Sequence, residues 1–145
     1  MRSIPCRGPG LVIAAAFLLA ASGFAAGRAG TRAGGTVVHV TERDFHISAP
    51  THVRAGDVRL LVDNHGPDAH ELIVVRERGS RLPLRRDGVT VNENALERVT
   101  AGALEPGSPG SVRVLRLHLA PGRYVLLCNM SGHYMGGMHA QLVVR

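Results

Sequence analysis

Near the end of the chain, Cys128-Asn129-Met130-Ser131-Gly132-His133-Tyr134-Met135-Gly136-Gly137-Met138 sets a thiol, an imidazole and a thioether at the spacing Cys-x4-His-x4-Met. Thiolate and thioether are soft donors and imidazole is borderline, and together they are the donors that copper selects. A centre that serves both Cu(I) and Cu(II) is suited by two imidazoles and a thiolate, with a weak axial thioether, because that set lies between the geometries the two states prefer. The loop holds three of the four donors, so a second imidazole must come from elsewhere in the fold. Asn64-His65-Gly66-Pro67-Asp68-Ala69-His70-Glu71-Leu72 offers two. His70 opens an apolar run and is preferred; His65, beside Gly66-Pro67 in a turn, is its rival. Met130 and Met135 compete with Met138, although Met135 follows His133 too closely to swing round easily. His139 reads as an outward residue, with proton shuttling or weak binding of a second metal as the alternative. His39, His46, His52 and His118 are scattered and fit surface or strand positions.

Such donors need a frame of strand ends and turns. Val37–Thr41 is β-branched and reads as a strand, and Phe45–Ser48 as a short second one stopped by Pro50. Asp57–Asp63 follows the turn at Gly56. His70–Val75 is apolar on both faces and reads as a buried strand. Val112–Leu119 is strand-like with imperfect alternation, and Ala120-Pro121-Gly122 is a turn. Arg123–Leu127 leads to Cys128, and Ala140–Val144 closes the chain. With a period of two, Tyr124, Leu126 and Cys128 share one strand face. Gly132, Gly136 and Gly137 let the loop turn tightly enough to return His133 and Met138 to the metal. From Glu77 to Gly110 the chain is rich in Arg, Gly, Pro and polar residues and reads as a long irregular insertion. Within it, Asn94-Ala95-Leu96-Glu97 resembles a helix N-cap with an acidic residue three positions on, predicting one or two helical turns before Gly102. Several short strands with turns between them and little helix give an all-β class, a Greek-key β-sandwich. No internal repeat is visible.

The first 26 residues read as a secretory signal: Arg2 and Arg7, an apolar run from Leu11 to Ala21, then small residues to Ala26. An uncleaved anchor is the rival, but the run is shorter than the roughly 18 to 20 residues of a spanning helix. Residues 27–35 form a small, Gly-rich linker, and residues 36–145 the single domain. Cys6 leaves with the signal, so Cys128 is the lone cysteine of the mature chain and no internal disulfide is possible. A lone thiol in an oxidising compartment is a liability unless something such as a metal occupies it. The formal charge of +6 comes entirely from Arg, with no Lys, and falls to about +4 without Arg2 and Arg7. Aromatic content is 3% with no Trp, which argues against single-stranded nucleic acid as a partner. The basic excess reads as a solvated surface or as a docking face for an acidic protein. Arg76, Arg78, Arg81, Arg85 and Arg86 read as a solvated loop.

The stretches Asn64…His70-Glu71-Leu72 and Pro121 to Met138 resemble the cupredoxins: plastocyanin, azurin, and especially the rusticyanin-like and sulfocyanin-like members. With the flanking strands, the resemblance covers Thr36 to Arg145. It implies the cupredoxin fold and one type 1 copper held by His70, Cys128, His133 and Met138; the family spacing favours Met138 over Met135. Two positions depart from the family pattern. Ser131 stands where related loops often have Pro, and Glu71 where Asn or Asp often follows the first ligand histidine. Neither touches the ligand set, but both bear on the hydrogen bonds around it.

The expected function is transfer of single electrons between redox protein partners by an exported, monomeric protein, periplasmic or at the cell surface. Any membrane attachment would run through an uncleaved N-terminus. The alternative is an extracytoplasmic copper carrier or buffer using the same ligands, to which Met130, Met135 and Met138 give a weak hint. An enzyme is not expected. The chain has no His-x-His pair for further coppers, one mature cysteine where a dinuclear centre needs two, and no Cys-x-x-Cys-His for haem. Zinc would recruit four firm ligands rather than a thioether.

Overall fold

The computed structural model describes residues 35–79 and 81–145. The signal read over residues 1–26, and the linker at 27–35 save its last residue, lie outside the described residues. Nine strands follow: β1 (Thr36–Arg43), β2 (His46–Ser48), β3 (His52–Val53), β4 (Gly56–Asn64), β5 (His70–Arg76), β6 (Thr100–Gly107), β7 (Val112–Leu119), β8 (Gly122–Leu127) and β9 (His139–Val144). A short helix, α1 (Glu93–Leu96), and a 3-10 turn (Glu97–Val99) precede β6. The strands form two sheets, ordered β2-β1-β4-β7 and β3-β9-β8-β5-β6. The pairs β1–β4 and β3–β9 are parallel, and the other pairs are antiparallel. This is a Greek-key β-sandwich, as expected from the sequence.

The period of two builds the core between the sheets. Val38, Val40, Leu60 and Val62 of one sheet pack against Leu72, Val74, Tyr124, Leu126 and Leu142 of the other. The Tyr124 hydroxyl stays satisfied by donating to the Ala120 carbonyl at 2.9 Å, which pins the turn before β8. The opposite face of β5 and β8 is buried as well. Ile73, Val75, Val125 and Leu127 are covered by Val91 and Leu96, with Leu82 and Val99 packed against them. The insertion is therefore a second, outer layer, and it explains why β5 is apolar on both faces. The imperfect alternation of β7 has two causes: Arg113 sits where an apolar residue would and donates to buried Glu42 of β1, and Val112 and Val114 stand exposed on the outer face.

The structure corrects two readings. The helix is capped by Asn92, whose side chain accepts from Ala95 N–H, and not by Asn94; an N-cap belongs before the first helical residue, here Glu93. The end of the insertion is strand β6 rather than irregular chain. Its Gly102 and Pro106 hide the pattern, and a sheet edge tolerates them. The two-residue β3 lies between Pro50 and Gly56, a stretch to which the sequence assigns no element.

Candidate metal centre

The strand order sets β5 beside β8, so His70 at the start of one lies near Cys128 at the end of the other. The loop after Cys128 then folds back on itself. His133 N–H donates to the Met130 carbonyl at 2.9 Å, and Met138 N–H to the His133 carbonyl at 2.9 Å. Cys128 N–H donates to the Met138 carbonyl at 3.1 Å and closes the loop. Gly132 and Gly137 take φ of 80° and 104°, values that L side chains resist. Gly136 serves a different end. A Cβ there would lie 2.2 Å from Phe45 Cδ1, so glycine lets that ring lie against the loop.

These elements bring donor atoms of His70, Cys128 and His133 within 4.8 Å of one another. Cys128 Sγ is 3.4 Å from His133 Nδ1, and the two imidazole centroids are 5.2 Å apart. Cys128 and His70 are buried, and His133 is half-buried. Met138 is fully buried in the same core cluster as Cys128, whereas Met135 is 54% exposed and Met130 half-buried. His65, the rival imidazole, is exposed and outside this group, and His139 is exposed. Among the described residues this is the one group of three or more His, Cys, Asp or Glu side chains set to hold a metal.

Burial dominates the local electrostatics. It lowers the pKa of His70, and nearby His133 lowers it further against the pull of Asp44 and Asp68, so the ring is neutral at neutral pH. Burial also pushes the Cys128 thiol up, while backbone hydrogen bonds from Met130 and Glu71 favour the thiolate. The Asp44 carboxylate stands 3.0 Å from His70 Nε2 and can only accept, so in the neutral ring the hydrogen sits on Nε2. Nδ1 then carries a lone pair, is buried, and has no hydrogen-bond partner. An orphaned buried acceptor beside a thiol and a second imidazole fits a metal ligand.

Three polar residues fix the frame, and motif spacing revealed none of these roles. Asn64 donates to the carbonyls of Asp68 and Gly107, at 2.8 and 2.9 Å, and accepts from Gly66 N–H at 2.9 Å, shaping the turn before His70. Asn129 accepts from Val91 N–H and donates to Val91 O at 3.0 Å and to Glu93 Oε1 at 2.7 Å. It ties the ligand loop to the outer layer. Glu71 accepts from Asn129 N–H at 3.0 Å, which joins the two ligand strands directly.

No protein-family model matches the chain, and no curated protein matches it. Solved structures do. Reduced auracyanin from Roseiflexus castenholzii aligns over 77% of this chain and 98% of its own, with TM-score 0.57 and 19% identity. Auracyanin A, a "blue" copper protein from Chloroflexus aurantiacus, aligns over 77% and 100%, with TM-score 0.55 and 15% identity. Rusticyanin from Thiobacillus ferrooxidans aligns over 77% and 79%, with TM-score 0.54 and 15% identity. The chain has the cupredoxin fold. Within it, the cluster of His70, Cys128 and His133 suits a single type 1 copper.

Proposed function

We propose that this protein is an exported type 1 copper protein that passes single electrons between two redox proteins outside the cytoplasm. The observation that carries this reading is the buried His70 Nδ1, unpartnered beside Cys128 and His133. Bound copper would supply the one-electron couple. His70, Cys128 and His133 would be its firm ligands. Met138 would be the weak fourth, since it is buried in the same cluster and its carbonyl accepts from Cys128 N–H. Two of these anchors stand at strand ends held by the sheet, so the frame needs no metal to form. His133 is the donor nearest solvent, and Phe45 and Met135, 52% and 54% exposed, flank it with apolar surface. That edge would face a partner. The fold neighbours support the reading, because auracyanin A is itself described as a blue copper protein. The sequence features of the first 26 residues support export; the mature N-terminus should lie within or just after Ala21–Ala26.

Adding Cu(II) to the purified protein tests the proposal. An intense thiolate charge-transfer band toward the red end of the visible is expected, with narrow copper hyperfine splitting in electron spin resonance. Cys128→Ser should abolish both while the sandwich still folds. A colourless complex of the native protein would overturn the type 1 assignment.

A further inference from the structure

We infer that Asp44 is a positioning residue for the metal centre: its carboxylate fixes the His70 tautomer and orientation, and its negative charge favours the oxidised metal. The inference rests on the copper reading for its second half only. Asp44 lies in the turn between β1 and β2, in the other sheet from His70, and its Oδ1 is 3.0 Å from His70 Nε2. Three features show that this contact is built into the fold. The His70 side chain is fully buried and the Asp44 side chain 29% exposed, so solvent screens the pair only from one side. Gly66 leaves the space that the pair needs: a Cβ there would lie 2.7 Å from both Asp44 Oδ1 and His70 Nε2. Finally, Phe45 holds φ at 58°, which a bulky residue keeps only when its surroundings enforce it. Its ring is wedged against Gly136 and stands edge-on to His133, with centroids 5.4 Å apart, which anchors the turn carrying Asp44 over the centre.

A carboxylate behind a ligating imidazole raises the basicity of the ring and locks its rotation. A backbone carbonyl would lock the ring without adding charge. Charge matters here because the more positive state of the metal gains more from it.

The test compares Asp44→Asn, which can still accept the Nε2 hydrogen but is neutral, with Asp44→Ala. In the metal-free proteins, ring nitrogen chemical shifts report the His70 tautomer. In the copper proteins, the spectrum and the reduction potential are read. The Asn variant should keep the Nε2–H tautomer and the blue colour while its preference for Cu(II) over Cu(I) falls about tenfold, a rise of about 59 mV. The Ala variant should show mixed tautomers and bind Cu(II) at least about tenfold more weakly. A native-like potential in the Asn variant would overturn the charge effect, and an unchanged tautomer in the Ala variant would overturn the positioning. Failure of the native protein to form a blue site would sink the copper reading, while the tautomer arm would still decide the positioning.

Discussion

Cys128 must give up a proton that its burial helps it keep before it can hold a metal. His70 is already neutral, because its pKa is lowered. Copper uptake should therefore cost the thiol proton, and Cu(II) affinity should climb about tenfold per pH unit above about pH 7. Competition against a chelator of known affinity measures this, and a flat profile would contradict a buried, protonated thiol. The methionines separate by burial. Met138→Leu should keep the colour, raise the potential by removing a weak donor, and change stability by less than about 1.5 kcal/mol. Met135→Leu, at an exposed site, should change neither. Copper-site spectra and voltammetry of the two variants assign the axial role. At this scale the cluster of His70, Cys128 and His133 was legible, because Cys128 and His133 are local in sequence and His70 opens an apolar run. Asp44 was not, since nothing in the spacing ties position 44 to position 70; only the neighbouring sheet does.

The elements hold these residues through a few buried polar contacts. Asn129 joins the ligand loop to the outer layer through both its amide atoms. Asn129→Ala would leave Val91 N–H without its acceptor in the interior, at a cost of about 1 to 3 kcal/mol, seen as a lower urea midpoint of the metal-free protein. A second test lies between β1 and β7, where burial pushes Glu42 up to about 7 against the pull of Arg113. A carboxyl with a raised folded pKa binds its proton more tightly when folded. Its contribution is fully present below about pH 4.5 and is lost as pH rises through about 7. The stability of Glu42→Gln relative to native should therefore grow between pH 5 and pH 8, by up to about 3 kcal/mol. Denaturation of both proteins at the two pH values checks the sign. Strand types were legible wherever the side chains alternate. The outer layer was not, because its residues are polar and its anchors, Val91, Leu96 and Asn129, are scattered.

Across the whole molecule, the donors come from one sheet, while the turn over them comes from the other. A frame so fixed should keep its copper through many turnovers. Copper loss to a Cu(I) chelator under reducing conditions should be slow, and electron self-exchange, followed by line broadening, should be fast. Release within seconds together with sluggish self-exchange would favour the copper-carrier reading. The closing hydrogen bond from Cys128 N–H to the Met138 carbonyl is followed at once by β9, which pairs with both β8 and β3. Seen from the ribosome, that order has a consequence. Synthesis runs from the N-terminus, so Asp44 and Phe45 emerge first and the strand that seals the sheet emerges last. A nascent chain that has just added Met138 already owns every proposed ligand, yet it has no β9 against which β8 can pair. Possession of the four proposed ligands and possession of the site are thus separated in time, and a chain truncated after Met138 should bind copper without turning blue.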